Sequence, residues 1–226
     1  MIRVNKSPPP VSIQDGSPLK VKYLQEYQNW ESSGKQGEKP NPKYNQRDVK
    51  LTLMSDFNSK CGYCEKKFNR RNFDIEHYKP KSDFPKEALN WDNLLLACKP
   101  CNMEKSNRFF EKDENPQVPP INPCIDDPKK FFTYKMDKDV QTGKKLVFIL
   151  PKDGLDIDEK RAVKTIDYCD LNRDEMLEYR ARAISDATSH KIMEESGVGG
   201  DYHIRYITNQ KDEEYLGALQ FFKLLS

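Results

Sequence analysis

Four of the six cysteines fall in two pairs, "CGYC" (Cys61, Cys64) and "CKPC" (Cys98, Cys101), and no other feature restricts the fold as much. A CxxC turn sets two sulfurs at the separation a tetrahedral zinc accepts, and two such turns complete a closed four-sulfur site. One pair alone would also suit a redox couple of the thioredoxin type; two matched pairs in a chain read as cytosolic favour zinc. Closed coordination leaves no position for a reacting water, so this zinc is expected to be structural. It joins segments more than thirty residues apart and moves the chemical question to what lies between them. Cys124 and Cys169 have no partner at metal spacing and read as buried or incidental thiols.

The cytosolic reading rests on the N-terminus, "MIRVNKSPPPVSIQDGSP", which lacks the apolar core of a signal peptide. No apolar run approaches the roughly 20 residues that cross a bilayer, and with 33% charged and 36% hydrophobic residues the chain reads as soluble, without membrane contact. The net charge of +2 averages unlike regions. Lys60 to Lys112 holds 12 Lys/Arg against 8 Asp/Glu, whereas Pro151 to Ser226 holds 11 against 16. The basic part suits a polyanion, and the acidic part does not.

Pattern divides the chain further. Residues 1–18, with "SPPP" and "DGSP", cannot sustain a helix and read as an extended arm. Residues 19–58 hold two amphipathic segments, one carrying Leu19, Tyr23, Leu24, Tyr27 and Trp30 at helical spacing and one reading "RDVKLTLMSDF". Residues 59–112 contain the cysteine pairs. Residues 113–155 are a proline-rich loop followed by "FFTYKMD" and "TGKKLVFILP", expected to pair as strands. Residues 156–226 are helical by pattern: Asn172 is expected to cap a helix, with Glu175 at the capping-box position and Leu171 and Met176 as a hydrophobic staple, and "EEYLGALQFFKLLS" reads as a last apolar helix. The overall class is α+β.

Between the cysteine pairs lie Asp74, Glu76, His77, Asp92 and Asn93, and directly after the last cysteine come Asn102 and Lys105 in "CNMEK". Taken singly, a Glu-His step is most often a solvated pair, and an Asn after a cysteine a helix cap. Zinc would draw the ends of this segment together, so that the Glu76-His77 step and Asn102 can share one site. Lys66, Lys67, Arg70, Arg71, Lys79, Lys81, Lys99 and Arg108 surround the same segment, and lysines there would give phosphate affinity without sequence choice.

The order Cys-Cys, Glu-His, Asn, Cys-Cys-Asn, Lys, written here as "DIEHYKP", "NWDNLLLAC" and "CKPCNMEKSN", resembles the HNH endonucleases. That resemblance implies a ββα-metal core over about fifty residues, flanked by N-terminal helices and a mainly helical C-terminal region. It implies catalytic roles for His77 as general base, Asn93 as the residue that holds the loop and supports the base, and Asn102 as the third letter of the motif. Glu76 corresponds to the acid that binds a catalytic Mg2+ or Mn2+; beside it the residues themselves offer the Asn102 amide oxygen as a second ligand, Asp74 as an auxiliary acid, and Lys79, Lys81 and Lys105 as phosphate contacts. The chemistry is consistent: imidazole titrates near neutrality, and a hard cation with few protein oxygens keeps room for phosphate.

More loosely, the layout from "MIRVNKSPPP" through "INPCIDDPKKFF" to "KTIDYCDLNRDEMLEYRAR" is similar to the PtuB nucleases of Septu and retron anti-phage systems. This implies a PtuA-type ATPase as partner, allows retron RNA or DNA beside it, and favours DNA as substrate. Two other readings stand: a toxin-like effector that cleaves RNA, for example tRNA, and a zinc module that binds nucleic acid without cutting it.

Overall fold

The computed structural model describes residues 1–68, 72–154, 156–197 and 213–224. Its centre is a two-stranded antiparallel hairpin, β1 (Phe73–His77) and β2 (Leu94–Cys98), in register from Phe73 opposite Cys98 to His77 opposite Leu94. Every residue of β2, "LLLAC", is buried. A run this apolar needs cover on both faces. One cover is α2 (Arg47–Asp56), which presents Val49 and Leu53; another is α3 (Lys99–Lys105), which leaves β2 directly with Pro100 in its first turn. Strand, strand and helix together form a ββα unit.

The first cysteine turn docks on the same hairpin. Gly62 donates its N–H to the Leu96 carbonyl at 2.8 Å, and a Cβ at this position would lie 2.7 Å from the Phe57 ring. Glycine is therefore what lets the "CGYC" turn press against β2.

Residues 1–17 contain no helix or strand, yet they are packed. Ser7 and Ser12 each grip an aspartate of α2 with both N–H and O–H: Ser7 holds Asp56 at 3.0 and 2.5 Å, and Ser12 holds Asp48 at 2.9 and 2.7 Å. Lys6 lies 3.7 Å over the Trp91 ring and donates to the Leu94 carbonyl at 2.8 Å. The arm is thus part of the core. After it, α1 (Pro18–Ser32) starts with Ser17 as N-cap and proline at N1, and buries Tyr23 and Tyr27.

Past the ββα unit, the proline-rich segment is pinned by basic residues of α5 (Ile157–Tyr168). Arg161 forks onto Asp126 at 3.1 and 2.6 Å, and Lys164 donates to the Val118 carbonyl at 2.8 Å. Between them lie a short helix, α4 (Pro128–Phe131), and the antiparallel pair β3 (Phe132–Lys138) and β4 (Lys145–Pro151). The paired-strand expectation for this stretch matches the observed hairpin. Helix α6 (Asp174–Glu195) packs on β4, and α7 (Leu216–Phe221) packs on α6 and β3. Among the described residues no helix is long and apolar enough to cross a membrane.

Two local expectations need correction. The last helix is shorter than its apolar pattern suggests, because Tyr215 adopts a left-handed backbone (φ 57°) that closes off the start of α7. Asn172 does not cap α6. Its amide bridges the backbone of Ile149 in β4, accepting from the N–H at 3.0 Å and donating to the carbonyl at 2.9 Å. Glu175 pairs instead with Arg173 at 3.0 Å. The side chain at 172 completes a strand edge, an option that local pattern does not reveal. Asn172→Ala should therefore cost about 1–3 kcal/mol in urea unfolding, whereas Glu175→Ala should change stability by less than about 0.5 kcal/mol; a capping box would give both substitutions similar costs.

Candidate active site

The sulfurs of Cys61, Cys64, Cys98 and Cys101 all lie within 4.8 Å of one another and all four residues are buried. Cys64 and Cys98 Sγ are 3.7 Å apart. A disulfide would need about 2.05 Å, while tetrahedral zinc with bonds of about 2.3 Å sets sulfurs about 3.8 Å apart. The donors therefore fit zinc. Hydrogen bonds from neighbouring sulfurs hold Cys64 and Cys98 below the ordinary thiol value, while burial pushes Cys61 up. The cluster also has a cationic neighbour that sequence reasoning missed: Arg173 places Nη1 3.6 Å from Cys101 Sγ and Nη2 3.9 Å from Cys64 Sγ.

The second group of polar residues is arranged by the alternation of β1. Successive side chains point to opposite faces, so Asp74 and Glu76 share one face and Ile75 and His77 the other. Helix α3 meets the first face with Asn102 and Lys105, one turn apart. Asn102 donates its amide N–H to Asp74 Oδ2 at 3.0 Å, and Lys105 Nζ meets Glu76 Oε1 at 2.6 Å. The side chains of Lys105 and Glu76 are only 1% and 5% exposed, so this is a buried ion pair. Lys105 Nζ further donates to the His77 carbonyl at 3.1 Å. Burial raises the Glu76 carboxyl above its usual range, with Lys105 pulling the other way.

Lys105 was expected at a phosphate. In the structure it is sealed against Glu76, and a fully covered ammonium has no surface to offer a polyanion. Lys79 and Lys81 are more accessible: Lys79 is half-buried and Lys81 exposed, 5.5 Å over the Tyr44 ring. Arg70 and Arg71 lie outside the described residues.

His77 is buried at the end of β1. Its Nε2 is 3.0 Å from the Ala88 carbonyl, and its ring meets Tyr44 edge-on with centroids 4.5 Å apart. A carbonyl can only accept, so Nε2 carries the proton and Nδ1 keeps the lone pair. Burial lowers the His77 pKa to about 4, so the ring is neutral at physiological pH. The hydrogen bond of the ring goes to Ala88 and that of the Asn102 amide to Asp74, so no hydrogen bond among the described residues joins the two. Tyr44 lines one cleft of about 440 Å³ with Lys50, Asp74, Asn102 and the β1 residues Phe73 and Ile75. Tyr44, in "NPKYNQ", carries no local signal of this role.

Asn93 is buried and wholly committed to backbone. Its Oδ1 accepts from Lys79 N–H at 2.7 Å, and its Nδ2 donates to the carbonyls of Lys79 and Glu87 at 3.0 and 3.1 Å. Its own carbonyl accepts from Tyr78 N–H at 2.9 Å. Asn93 thus clamps the loop that follows His77.

Residues 61–108 match the model of the HNH endonuclease family. The chain is also similar to the Septu protein PtuB of Bacillus mycoides (strain KBAB4), with 31% identity over 175 residues, 66% of this chain and 55% of that protein. With the Septu protein PtuB of Bacillus thuringiensis it shares 35% identity over 113 residues, 48% of this chain and 42% of the relative. A third match, 28% identical over 195 residues, covers 73% of this chain and 25% of the Septu protein PtuA of Bacillus mycoides (strain KBAB4). The chain spans about half, or less, of the length of these relatives. Residues 61–108, with their four-cysteine cluster and ββα unit, are an HNH endonuclease domain in a chain homologous to the Septu PtuB proteins.

Proposed function

We propose that this protein is a metal-dependent endonuclease that hydrolyses phosphodiester bonds, with DNA the favoured substrate, and that it serves as the nuclease of a Septu-type anti-phage system. The observation that carries the reading is the fixed imidazole. His77 is neutral and anchored through Nε2 on the strand that carries the HNH match, its ring packed on Tyr44, a wall of the cleft of Asp74 and Asn102. In that setting Nδ1 takes the proton from the water that attacks phosphorus. Asn93 holds the loop so that the ring stays placed, and Lys79 and Lys81 meet the phosphates on either side. Zinc at the four cysteines is structural.

A divalent cation, when bound, supplies charge to the phosphate and the departing 3′-oxygen. The oxygen donors on the α3 side of β1 suit magnesium or manganese. The family correspondence assigns the carboxylate to Glu76, with Asn102 beside it. A second assignment is favoured by one contact: the acid that touches Asn102 is Asp74, while Glu76 is neutralised by Lys105.

A PtuA-type ATPase is the proposed partner, supported by the relatives named Septu PtuB and PtuA. Those names lend no support to retron RNA or DNA as a component. RNA remains an arm of the test, since a site that handles phosphate does not read the sugar.

His77→Ala should lower cleavage of plasmid, single-stranded DNA or RNA in Mg2+ or Mn2+ by about 100-fold or more, with zinc content unchanged by elemental analysis; full retained activity would remove His77 from the mechanism. Asp74→Asn and Glu76→Gln separate the two cation assignments through Mn2+ binding followed by electron paramagnetic resonance. The true ligand's substitution weakens binding at least about tenfold, and the other's leaves it near wild type. Lys105→Met should cost about 3–5 kcal/mol in urea unfolding by stranding a buried carboxylate, and much of that loss should return in combination with Glu76→Gln. A Lys105 that served only phosphate would leave stability unchanged.

A further inference from the structure

A zinc ion held by four thiolates carries a net charge of −2, and here that charge would sit among residues that are almost wholly covered. Burying it without a counter-charge is costly. Only hydrogen bonds and cations around the sulfurs can offset it. Among the described residues, Arg173 stands where such a cation is needed. Arg173 lies 109 positions beyond Cys64, in the turn between α5 and α6, and its guanidinium spans two sulfurs from different cysteine turns: Nη1 to Cys101 at 3.6 Å and Nη2 to Cys64 at 3.9 Å.

Two further contacts orient the guanidinium. Nη1 donates to the Asp170 carbonyl and Nε to Glu175 Oε1, both at 3.0 Å, and the side chain is 13% exposed. The turn itself is anchored by Cys169 and Leu171, which are buried. A planar fork with several donors can face two sulfurs at once, a geometry that a lysine ammonium cannot reproduce.

We propose that Arg173 is the charge partner of the metal-loaded cysteine cluster, so that the helical C-terminal region contributes to metal affinity and is itself held in place by the loaded cluster. The inference rests on the reading of the four cysteines as a zinc site. It makes Arg173 a positioning residue for that site, with no contact to the reacting phosphate.

The test measures zinc affinity of the full chain by competition with a chromophoric chelator, for the wild type, Arg173→Leu and Arg173→Lys. The expected result is about tenfold or greater weakening in Arg173→Leu, with partial recovery in Arg173→Lys, which keeps the charge and loses the fork. Thermal unfolding with and without chelator supplies the second readout: the rise in Tm on zinc loading should be smaller in Arg173→Leu than in the wild type. Equal affinity in wild type and Arg173→Leu would overturn the proposal. So would an identical zinc-dependent rise in Tm, because loss of packing alone lowers both forms together. A wild type that binds no zinc at these cysteines would overturn the zinc reading itself, which the affinity of the wild type reports separately. Should Arg173→Leu fail to fold, the Arg173→Lys affinity decides: wild-type affinity there rejects the need for a fork across two sulfurs.

Discussion

The meeting of four sulfurs is the constraint on which the remaining architecture depends. A two-stranded hairpin is marginal in water on its own, and this one is flanked by a helix of only seven residues. Neither piece has enough area to hold the other. Convergence of the "CGYC" turn with the start of α3 closes the unit, with Gly62 set against β2 and Cys101 in the first turn of the helix. Once that closure exists, the two polar residues of α3 that face β1 are fixed in register with Asp74 and Glu76.

The strand β1 then acts as a partition. On the α3 side it carries oxygen donors and a sealed ion pair; on the other it carries an imidazole with a defined tautomer. Both side chains of the Glu76–Lys105 pair are almost wholly covered. A pair so buried contributes less to stability than its short distance suggests, because both ions lost their water. Its more definite effect is on geometry. It ties α3 to the end of β1 through the His77 carbonyl, one atom group away from the imidazole.

Much of this was legible in the sequence, and the reason is locality. A CxxC turn, apolar residues at helical spacing and two neighbouring strand-like runs are each written within a few residues, so the cysteine cluster, the hairpin of β3 and β4 and the helices α1 and α2 could be read directly. The misreadings share the opposite property. Asn172 looked like a cap because its neighbours on the chain fit one, while its real partner, Ile149, lies on another element. Lys105 looked like a phosphate ligand because it is basic beside a motif, while burial gave it to Glu76. Tyr44 and Arg173 were invisible for the same reason: each acts across a distance in sequence that no periodicity spans.

The loop clamp at Asn93 has a thermodynamic consequence. Three of its hydrogen bonds end on the backbone of Lys79 and Glu87, so the stretch that presents Lys79 gave up its conformational freedom when the chain folded. If Lys79 meets phosphate as proposed, a polyanion there has only side-chain rotamers left to order, and little of the interaction energy is spent on arranging the main chain. The same rigidity sets a limit on recognition. A surface that cannot adjust its backbone selects ligands by the spacing of their charges, which on that reading favours the contour of a phosphate chain over any feature of its bases.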